Sequence, residues 1–292
     1  AQESRGLGDV YKRQTLKMAR LLKSLGAMNR FAEEMRLNME GIKLVTFNIR
    51  CDYEQDGINN FAFRKPMIVE KISSEKPDII CFQEVLPHVA VWIKKTLSDY
   101  YVVGCGRSED FTDEQESIAF KKDRFNLVSM ETYWMSETPY VPASRYKKQS
   151  TCPRVTTEVV LYDLAEKKMF RLLNTHLDHE GSEARLLGLN QLLRKIEEEK
   201  AFSDIPVIIT GDFNAEPDSE EMKSIITSGK YQDLTKEIDF TFHDYGKEKE
   251  KIDYIFTTKD VFCKSIVKWA EEKDGVFLSD HYPIEAVICL LY

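Results

Sequence analysis

The sequence has no long apolar segment, no paired cysteines and no excess of basic residues. None of its apolar runs approaches the roughly 20 residues that a membrane-spanning helix requires, so we predict no membrane span. The six cysteines include no CxxC pair, which argues against a cysteine zinc cage or a disulfide scaffold and is typical of a cytoplasmic protein. A net charge of −8 makes the chain a poor electrostatic partner for polyanionic DNA.

The first residues are expected to lie outside the folded domain. The string SRGLGDVYKRQ, residues Ser4–Gln14, resembles one translated frame of a transposon-end adaptor used in sequencing libraries. We therefore predict that residues 1–38 are a non-native or disordered leader. From Met39 the sequence MEGIKLVTFN leads directly into a strand pattern, and we expect residues 39–292 to form a single α/β domain.

The stretch Pro206–Ser219, PVIITGDFNAEPDS, combines a strand, a polar loop and the start of a helix. The β-branched residues Val207–Ile209 predict a buried strand. Asp212 and Asn214 follow it, and side chains two residues apart on an extended chain project to the same face. A turn would explain one such pair. Similar polar residues at other strand ends favour a functional site instead.

Polar side chains recur at the ends of four other predicted strands and once inside a strand. They are Asn48 after KLVTF, Glu84 after DIICF, His176 after the strand over 169–175, Asp280 with His281 before the strand over 284–290, and Asp253 within KIDYIFT. A charged group beside a buried strand costs free energy unless it has a partner or binds a metal. We therefore predict that these residues share one site.

The residue types in this set predict metal-assisted hydrolysis of a phosphate ester. Carboxylate and amide oxygens suit Mg²⁺ or Mn²⁺, which bind through few protein ligands together with phosphate oxygens. A carboxylate next to a histidine forms an acid–base pair, because the carboxylate orients the imidazole and stabilises its cation. A metal ion then polarises the phosphate and activates water.

Six motifs in a fixed order resemble those of the exonuclease–endonuclease–phosphatase superfamily, which has the DNase-I-like fold. The motifs are TFN, QE, NTHLDH, GDFNAEPDS, IDYIF and SDHYP, and the match covers about Gly41 to Leu291. The resemblance implies a four-layer α/β/β/α sandwich of two mixed β-sheets flanked by helices. It also implies dependence on Mg²⁺ or Mn²⁺. The run YWMSETPYVPAS resembles a bacterial branch of this superfamily.

The resemblance also implies a role for each site residue. Those implied as metal ligands are Glu84, Asn48 and Asp280. Those implied as catalytic are His281 at the scissile phosphate, Asp253 orienting it, Asp212 and Asn214 orienting the water and the phosphate, and His176 contacting the phosphate or the leaving group. Asn214 and His176 are implied in substrate binding. Arg154, also a candidate for substrate binding, and Asp178 are weaker candidates, and a lone arginine at the start of a strand is more often structural. Either Asp212 or the His281–Asp253 pair could accept the proton of the attacking water.

Three functions are compatible with these motifs. The acidic charge and the full polar set favour a phosphodiesterase or phosphomonoesterase that acts, as a monomer, on a small or exposed phosphorylated substrate. A Mg²⁺-dependent endonuclease or exonuclease is the alternative, supported by the family and by the cations Arg145, Lys147, Lys148 and Arg154. A non-catalytic binding module is disfavoured, because degenerate copies tend to lose a carboxylate or histidine and none is missing here. His179 is expected on the opposite face of its strand, at the surface.

Overall fold

Runs of β-branched and apolar residues form the strands, and four amphipathic segments of the described part of the chain form α-helices. A computed structural model describes residues 40–201 and 203–291. The helices are α1 (Phe61–Glu75), α2 (Pro87–Thr96), α3 (Ser182–Lys200) and α4 (Glu220–Ile226). The strands are β1 (Ile42–Asn48), β2 (Ile79–Val85), β3 (Tyr100–Val103), β4 (Gln115–Lys121), β5 (Phe125–Trp134), β6 (Val155–Asp163), β7 (Lys168–His176), β8 (Val207–Asp212), β9 (Tyr231–Asp233), β10 (Asp253–Thr258), β11 (Val261–Lys268), β12 (Glu272–Lys273), β13 (Val276–Phe277) and β14 (Ile284–Leu290).

Two six-stranded sheets carry the architecture. Their strand orders are β11-β14-β1-β2-β4-β3 and β5-β6-β7-β8-β10-β9. Each sheet has one central parallel pair, β1 with β2 and β7 with β8, and antiparallel neighbours on both sides. Both sheets are therefore mixed. The carboxyl ends of paired parallel strands lie at the same edge of a sheet, so each central pair ends at the same edge.

Three apolar layers hold the sheets and helices together. The first lies between the sheets and joins residues such as Leu44 and Phe120 to Phe170 and Ile208. The second packs the outer face of the first sheet against α1 and α2, and the third packs the outer face of the second sheet against α3 and α4. The chain is thus a four-layer α/β/β/α sandwich, which confirms the fold predicted from the motifs.

Two elements begin or end differently from the sequence prediction. Strand β2 continues through Glu84, and its register against β4 shifts between Phe82 and Val85, which is a β-bulge. Asp253 is the first residue of β10, not an interior one, because the ladder with β8 begins at the pair Asp253–Asp212.

The leader predicted over residues 1–38 lies outside the described residues. In the part of the chain that the structure covers, no helix is long and apolar enough to cross a membrane.

Candidate active site

The ends of the four central strands bring polar side chains from both sheets into contact. Asn48 ends β1, Glu84 lies in the bulge of β2, His176 ends β7 and Asp212 ends β8. The side-chain amide of Asn48 donates to Glu84 Oε1 at 2.9 Å and to Asp212 Oδ2 at 3.0 Å. Asn48 therefore joins the carboxylate of one sheet to that of the other.

The bulge in β2 turns the Glu84 side chain toward this junction. Glu84 has φ 63°, a left-handed conformation that is uncommon for a residue other than glycine. Its Oε2 accepts the Cys51 backbone N–H at 2.8 Å. Burial opposes its ionisation, but the donors from Asn48 and Cys51 together with the positive charges of His281 and Arg50 hold the pKa of Glu84 below its usual range. Glu84 is therefore an ionised carboxylate at neutral pH.

Asp253, His281 and Asp212 form a connected acid–base chain. His281 Nδ1 lies 2.8 Å from Asp253 Oδ2, and its Nε2 lies 3.7 Å from Asp212 Oδ2. Burial disfavours the imidazolium, but the Asp253 carboxylate outweighs it and raises the pKa of His281 to about 10. Burial, together with the negative charge of Asp253, raises the pKa of Asp212 to about 7. His281 is thus a cationic donor, and the neighbouring Asp212 is a carboxyl group that titrates near neutrality.

Asn214 faces the same pocket from the loop after β8. Its backbone N–H donates to Asp212 Oδ1 at 2.8 Å, and its side-chain amide donates to the Leu177 carbonyl at 3.0 Å. Its φ of 49° is left-handed, a conformation that asparagine tolerates better than most residues. The Asp-Phe-Asn turn that the sequence suggested does exist, and it orients both polar side chains.

His176 is the second histidine of the site, and it is neutral. Its Nε2 lies 3.6 Å from Asp212 Oδ2. Burial, aided by the positive charges of Arg154 and Arg107, holds the pKa of His176 well below its usual value. Its Nδ1 lies 3.9 Å from Oε1 of Glu116. Burial and the charge of Glu114 raise the pKa of Glu116 well above its usual range, so this side chain is a neutral acid.

Sequence reasoning missed Glu116. Only 1% of the residue is exposed, and it lies within β4. The signal was present in the alternation of QESIAF, where a glutamate occupies an inward position of a buried strand.

Arg154 is the predicted substrate contact, and the structure places it at the pocket wall. It is 4% exposed, and its Nη2 lies 2.9 Å from His179 Nδ1. Its Nε and Nη1 have no hydrogen-bond partner among the described residues. Arg107, by contrast, is held by Glu114 in a two-point contact of 2.6 and 2.7 Å. Arg154 therefore offers unpaired donors in a buried place, where a partner is strongly favoured.

Other sequence expectations need correction. His179 is half-exposed as expected, but it also lines the pocket beside Arg154. Asp178 accepts the backbone N–H of Ser150 at 3.2 Å and that of Gly181 at 2.7 Å, so it orders loops, and it is not among the residues that line the pocket. The loop cations Arg145, Lys147 and Lys148 are exposed and do not line the pocket.

Asp280, predicted as a metal ligand, is bound to an arginine. Its Oδ2 lies 3.4 Å from Nε of Arg50, and its Oδ1 accepts the Ser279 hydroxyl at 3.1 Å. The Ser279 hydroxyl also lies 2.7 Å from the Asn48 carbonyl oxygen. The loop before β14 is thereby tied to the end of β1.

Arg64 on α1 connects the same two loops, and sequence reasoning did not single it out. Its side chain is fully buried, with 0% exposure. It donates to the backbone carbonyls of Asn59, Ile49, Leu278 and Arg50 at distances of 2.7, 2.5, 3.1 and 3.1 Å. A guanidinium group carries five N–H donors, so one side chain can satisfy all four carbonyls. Arg64 therefore positions the segment that follows Asn48.

Three groups of side chains among the described residues are arranged as metal ligands, and two of them belong to this site. Glu84, His176 and Asp212 each offer one ligand atom, and these atoms lie within 4.8 Å of one another; the same holds for Asp212, Asp253 and His281. The first group meets the requirements of a divalent cation, because Glu84 is ionised and His176 is neutral. The residues present therefore fit a divalent metal ion at Glu84.

These residues surround a pocket of about 420 Å³. Most of the residues that line it are polar or charged, and Tyr53, Phe242 and Ile252 add apolar surface. The fold and the site together define a class of protein, a two-sheet sandwich hydrolase with carboxylates, an amide and two histidines at its strand ends. The chain belongs to the Endonuclease/Exonuclease/phosphatase family, whose sequence pattern matches residues 45–281. The family predicted from the six motifs is thereby confirmed, and it is a family of phosphate-ester hydrolases.

Solved structures and curated proteins show the same relationship. An endonuclease/exonuclease/phosphatase from Bacteroides vulgatus is 32% identical, with a TM-score of 0.81 over 86% of this chain and 100% of that one. A mannosyl-6-phosphatase from Bacteroides thetaiotaomicron, 23% identical, has the same fold, with a TM-score of 0.78 over 85% of this chain and 100% of that one. Tyrosyl-DNA phosphodiesterase 2 of Homo sapiens is 27% identical over 175 residues, which cover 59% of this chain and 41% of that protein.

Proposed function

We propose that the protein is a Mg²⁺- or Mn²⁺-dependent hydrolase of phosphate esters, acting on a small or exposed phosphorylated substrate. The observation that carries the proposal is the junction at Asp212. Its carboxylate contacts Asn48 at 3.0 Å and lies 3.6 and 3.7 Å from the imidazoles of His176 and His281. An ionised glutamate, a titrating carboxyl group and a cationic histidine are thereby held around one small pocket.

Glu84 is proposed as the principal metal ligand, with Asn48 beside it. A divalent cation bound there would neutralise charge that develops on the phosphate oxygens. The remaining chemistry belongs to the side chains of the chain itself. Asp212 is the proposed base that accepts the proton of the attacking water, because its pKa of about 7 matches neutral pH.

His281 is proposed to act as a cation and not as a base. Its Nδ1 is committed to Asp253 at 2.8 Å, and a carboxylate in this position stabilises the imidazolium. The N–H on Nε2 is then available to a phosphate oxygen in the pocket. Asn214 orients the water or the phosphate, and neutral His176 lies close enough to contact the phosphate or the leaving group.

Arg154 is proposed to bind the phosphate group. Arg154 is only 4% exposed, and its Nε and Nη1 donors have no hydrogen-bond partner among the described residues. Arginine forms two-point contacts with phosphate oxygens. A pocket of about 420 Å³ suits a compact ester, or the exposed end of a larger one, better than the side of a duplex.

The test is an activity screen on metal-stripped protein supplied with Mg²⁺ or Mn²⁺. Its substrates are a generic phosphodiester, a phosphomonoester, sugar and lipid phosphates, RNA, and single- and double-stranded DNA. We expect turnover of a small ester with Mg²⁺ or Mn²⁺. His281→Ala should lose this activity, and the exposed control Asp204→Asn should retain it. Full activity with Zn²⁺ alone would contradict the oxygen-rich metal site. Efficient plasmid cleavage at physiological salt, lost in His281→Ala, would establish a nuclease instead.

A further inference from the structure

Arg50 is held in an unusual backbone conformation two residues after Asn48. Its φ of 60° lies in the left-handed region, where a residue with a side chain is strained. Its backbone N–H donates to the side-chain oxygen of Asn48 at 3.0 Å, and its carbonyl accepts from Arg64 at 3.1 Å. The local strain is thus supported from two sides, and the Arg50 side chain lines the pocket.

The Arg50 guanidinium lies between two carboxylates. Nε and Nη2 contact Asp56 at 3.1 and 3.2 Å, as a fork, and Nε also lies 3.4 Å from Oδ2 of Asp280. The side chains of Asp56 and Asp280 are 5% and 4% exposed. The Tyr53 ring lies 5.4 Å from the guanidinium, and the Tyr245 hydroxyl donates to Asp56 at 3.1 Å. The positive charge is therefore fixed in position.

Buried carboxylates require a cation or several donors near them. In a metal-dependent phosphoesterase that cation can be a second divalent ion, placed between two acidic side chains. Here one nitrogen atom of Arg50 contacts both Asp56 and Asp280. Among the described residues, neither aspartate belongs to a group of side chains arranged as metal ligands. In the second ligand-like group of the pocket, Asp212, Asp253 and His281, the His281 Nδ1 atom is already bound to Asp253 at 2.8 Å.

We propose that the Arg50 guanidinium takes the position of a second metal ion, so that the protein binds one divalent cation, at Glu84. This inference rests on the proposed metal-dependent function of the same site. Asp280 then holds Arg50 and does not ligate a metal. An arginine does not lose its proton in proteins and cannot be removed by a chelator. Part of the positive charge that faces a bound phosphate is therefore permanent.

The test counts bound ions on the full chain. Metal-stripped protein is titrated with Mn²⁺ into the millimolar range, and bound ions are counted by electron paramagnetic resonance and calorimetry. We expect one Mn²⁺ per wild-type chain. In Arg50→Gln the two aspartates lose their shared cation, so the count is expected to rise from one to two. The matched control, Arg194→Gln, removes an exposed arginine that pairs with Glu198, and should leave the count at one.

The outcomes separate this inference from the function on which it rests. Two ions on the wild type, or one ion on a folded Arg50→Gln, would overturn the inference while leaving a metal-dependent enzyme. No bound ion on the wild type would refute both. If Arg50→Gln does not fold, anomalous diffraction from Mn²⁺-soaked wild-type crystals decides. A single peak beside Glu84 supports the inference, and a peak between Asp56 and Asp280 overturns it.

Discussion

Replacing Asp253 by asparagine changes the charge of the acid–base chain while preserving its shape. Asp253 is the carboxylate that raises the pKa of His281 to about 10, and its negative charge also helps to raise that of Asp212 to about 7. Removing this charge lowers both pKa values. If Asp212 must be deprotonated and His281 protonated, the whole bell-shaped pH–rate profile should move to lower pH in Asp253→Asn.

The expected displacement follows from the geometry. An opposite charge in contact with a titrating group shifts its pKa by about 1–3 units, and the Asp253–His281 contact is 2.8 Å. The alkaline limb, near pH 10 in the wild type, should therefore fall by roughly 1–3 units. The acidic limb should move less, because Asp253 is only the second cause of the Asp212 shift, after burial.

The assay is kcat/KM against pH for the wild type, Asp253→Asn and the exposed control Asp204→Asn. A nuclear magnetic resonance titration of His281 gives its pKa without reference to activity. His281→Ala should lose on the order of 10²–10⁴-fold in rate, and adding it to Asp253→Asn should cost little more, because the two residues act as one unit. An unmoved alkaline limb together with an unchanged His281 pKa would refute the assigned role of Asp253.

Three further perturbations follow from individual contacts. Glu84→Gln keeps the shape but removes the charge, so Mn²⁺ affinity in calorimetry should fall by at least about tenfold; unchanged affinity would exclude Glu84 as the metal ligand. Arg64→Met leaves four carbonyls without donors and should lower the free energy of unfolding, measured by urea denaturation, by about 2–4 kcal/mol. The exposed control Arg194→Met should change it by less than about 0.5 kcal/mol. An equally small effect of Arg64→Met would contradict the role of Arg64. Burial lowers the pKa of His243 from 6.5 to about 4, so the folded state binds fewer protons and stability should fall as the pH drops from 6.5 to 4, by at most about 3 kcal/mol; His243→Gln should abolish this part of the pH dependence, and an unaltered slope would count against it.

The sequence predicted the strand-end residues well because they follow a simple geometric rule. Asn48, Glu84, His176 and Asp212 each end or interrupt a strand with an apolar pattern, and parallel pairing brings such ends together. The four-layer sandwich was predicted from the resemblance of the six ordered motifs to the family, and not from strand geometry. The contact of Asn48 with both carboxylates could not be predicted, because it depends on how closely the two sheets approach.

Other parts of the site depend on contacts between distant segments, which the sequence does not display. Arg64 looked like an ordinary polar position of an amphipathic helix, yet it is fully buried against carbonyls of two distant connecting segments, the one after β1 and the one before β14. Asp280 was assigned to the metal because the resemblance to the family implies that role. Its partner Arg50 could be found only from the left-handed turn that brings the guanidinium back over the site.

The cations of the pocket wall support the proposal that an acidic chain binds a phosphate. Net charge acts at long range and is screened within about 10 Å at moderate salt, whereas Arg50, Arg154 and His281 are held within the pocket wall. A small ester meets these local charges and few others, so its KM should change by less than about threefold between 50 and 200 mM salt. A nucleic acid that uses 6–10 phosphate contacts would lose about 10³–10⁵ in affinity over the same range. Measuring KM for the best substrate of the screen at the two salt concentrations therefore reports how many phosphates the enzyme contacts, and a steep salt dependence would contradict a substrate confined to this pocket.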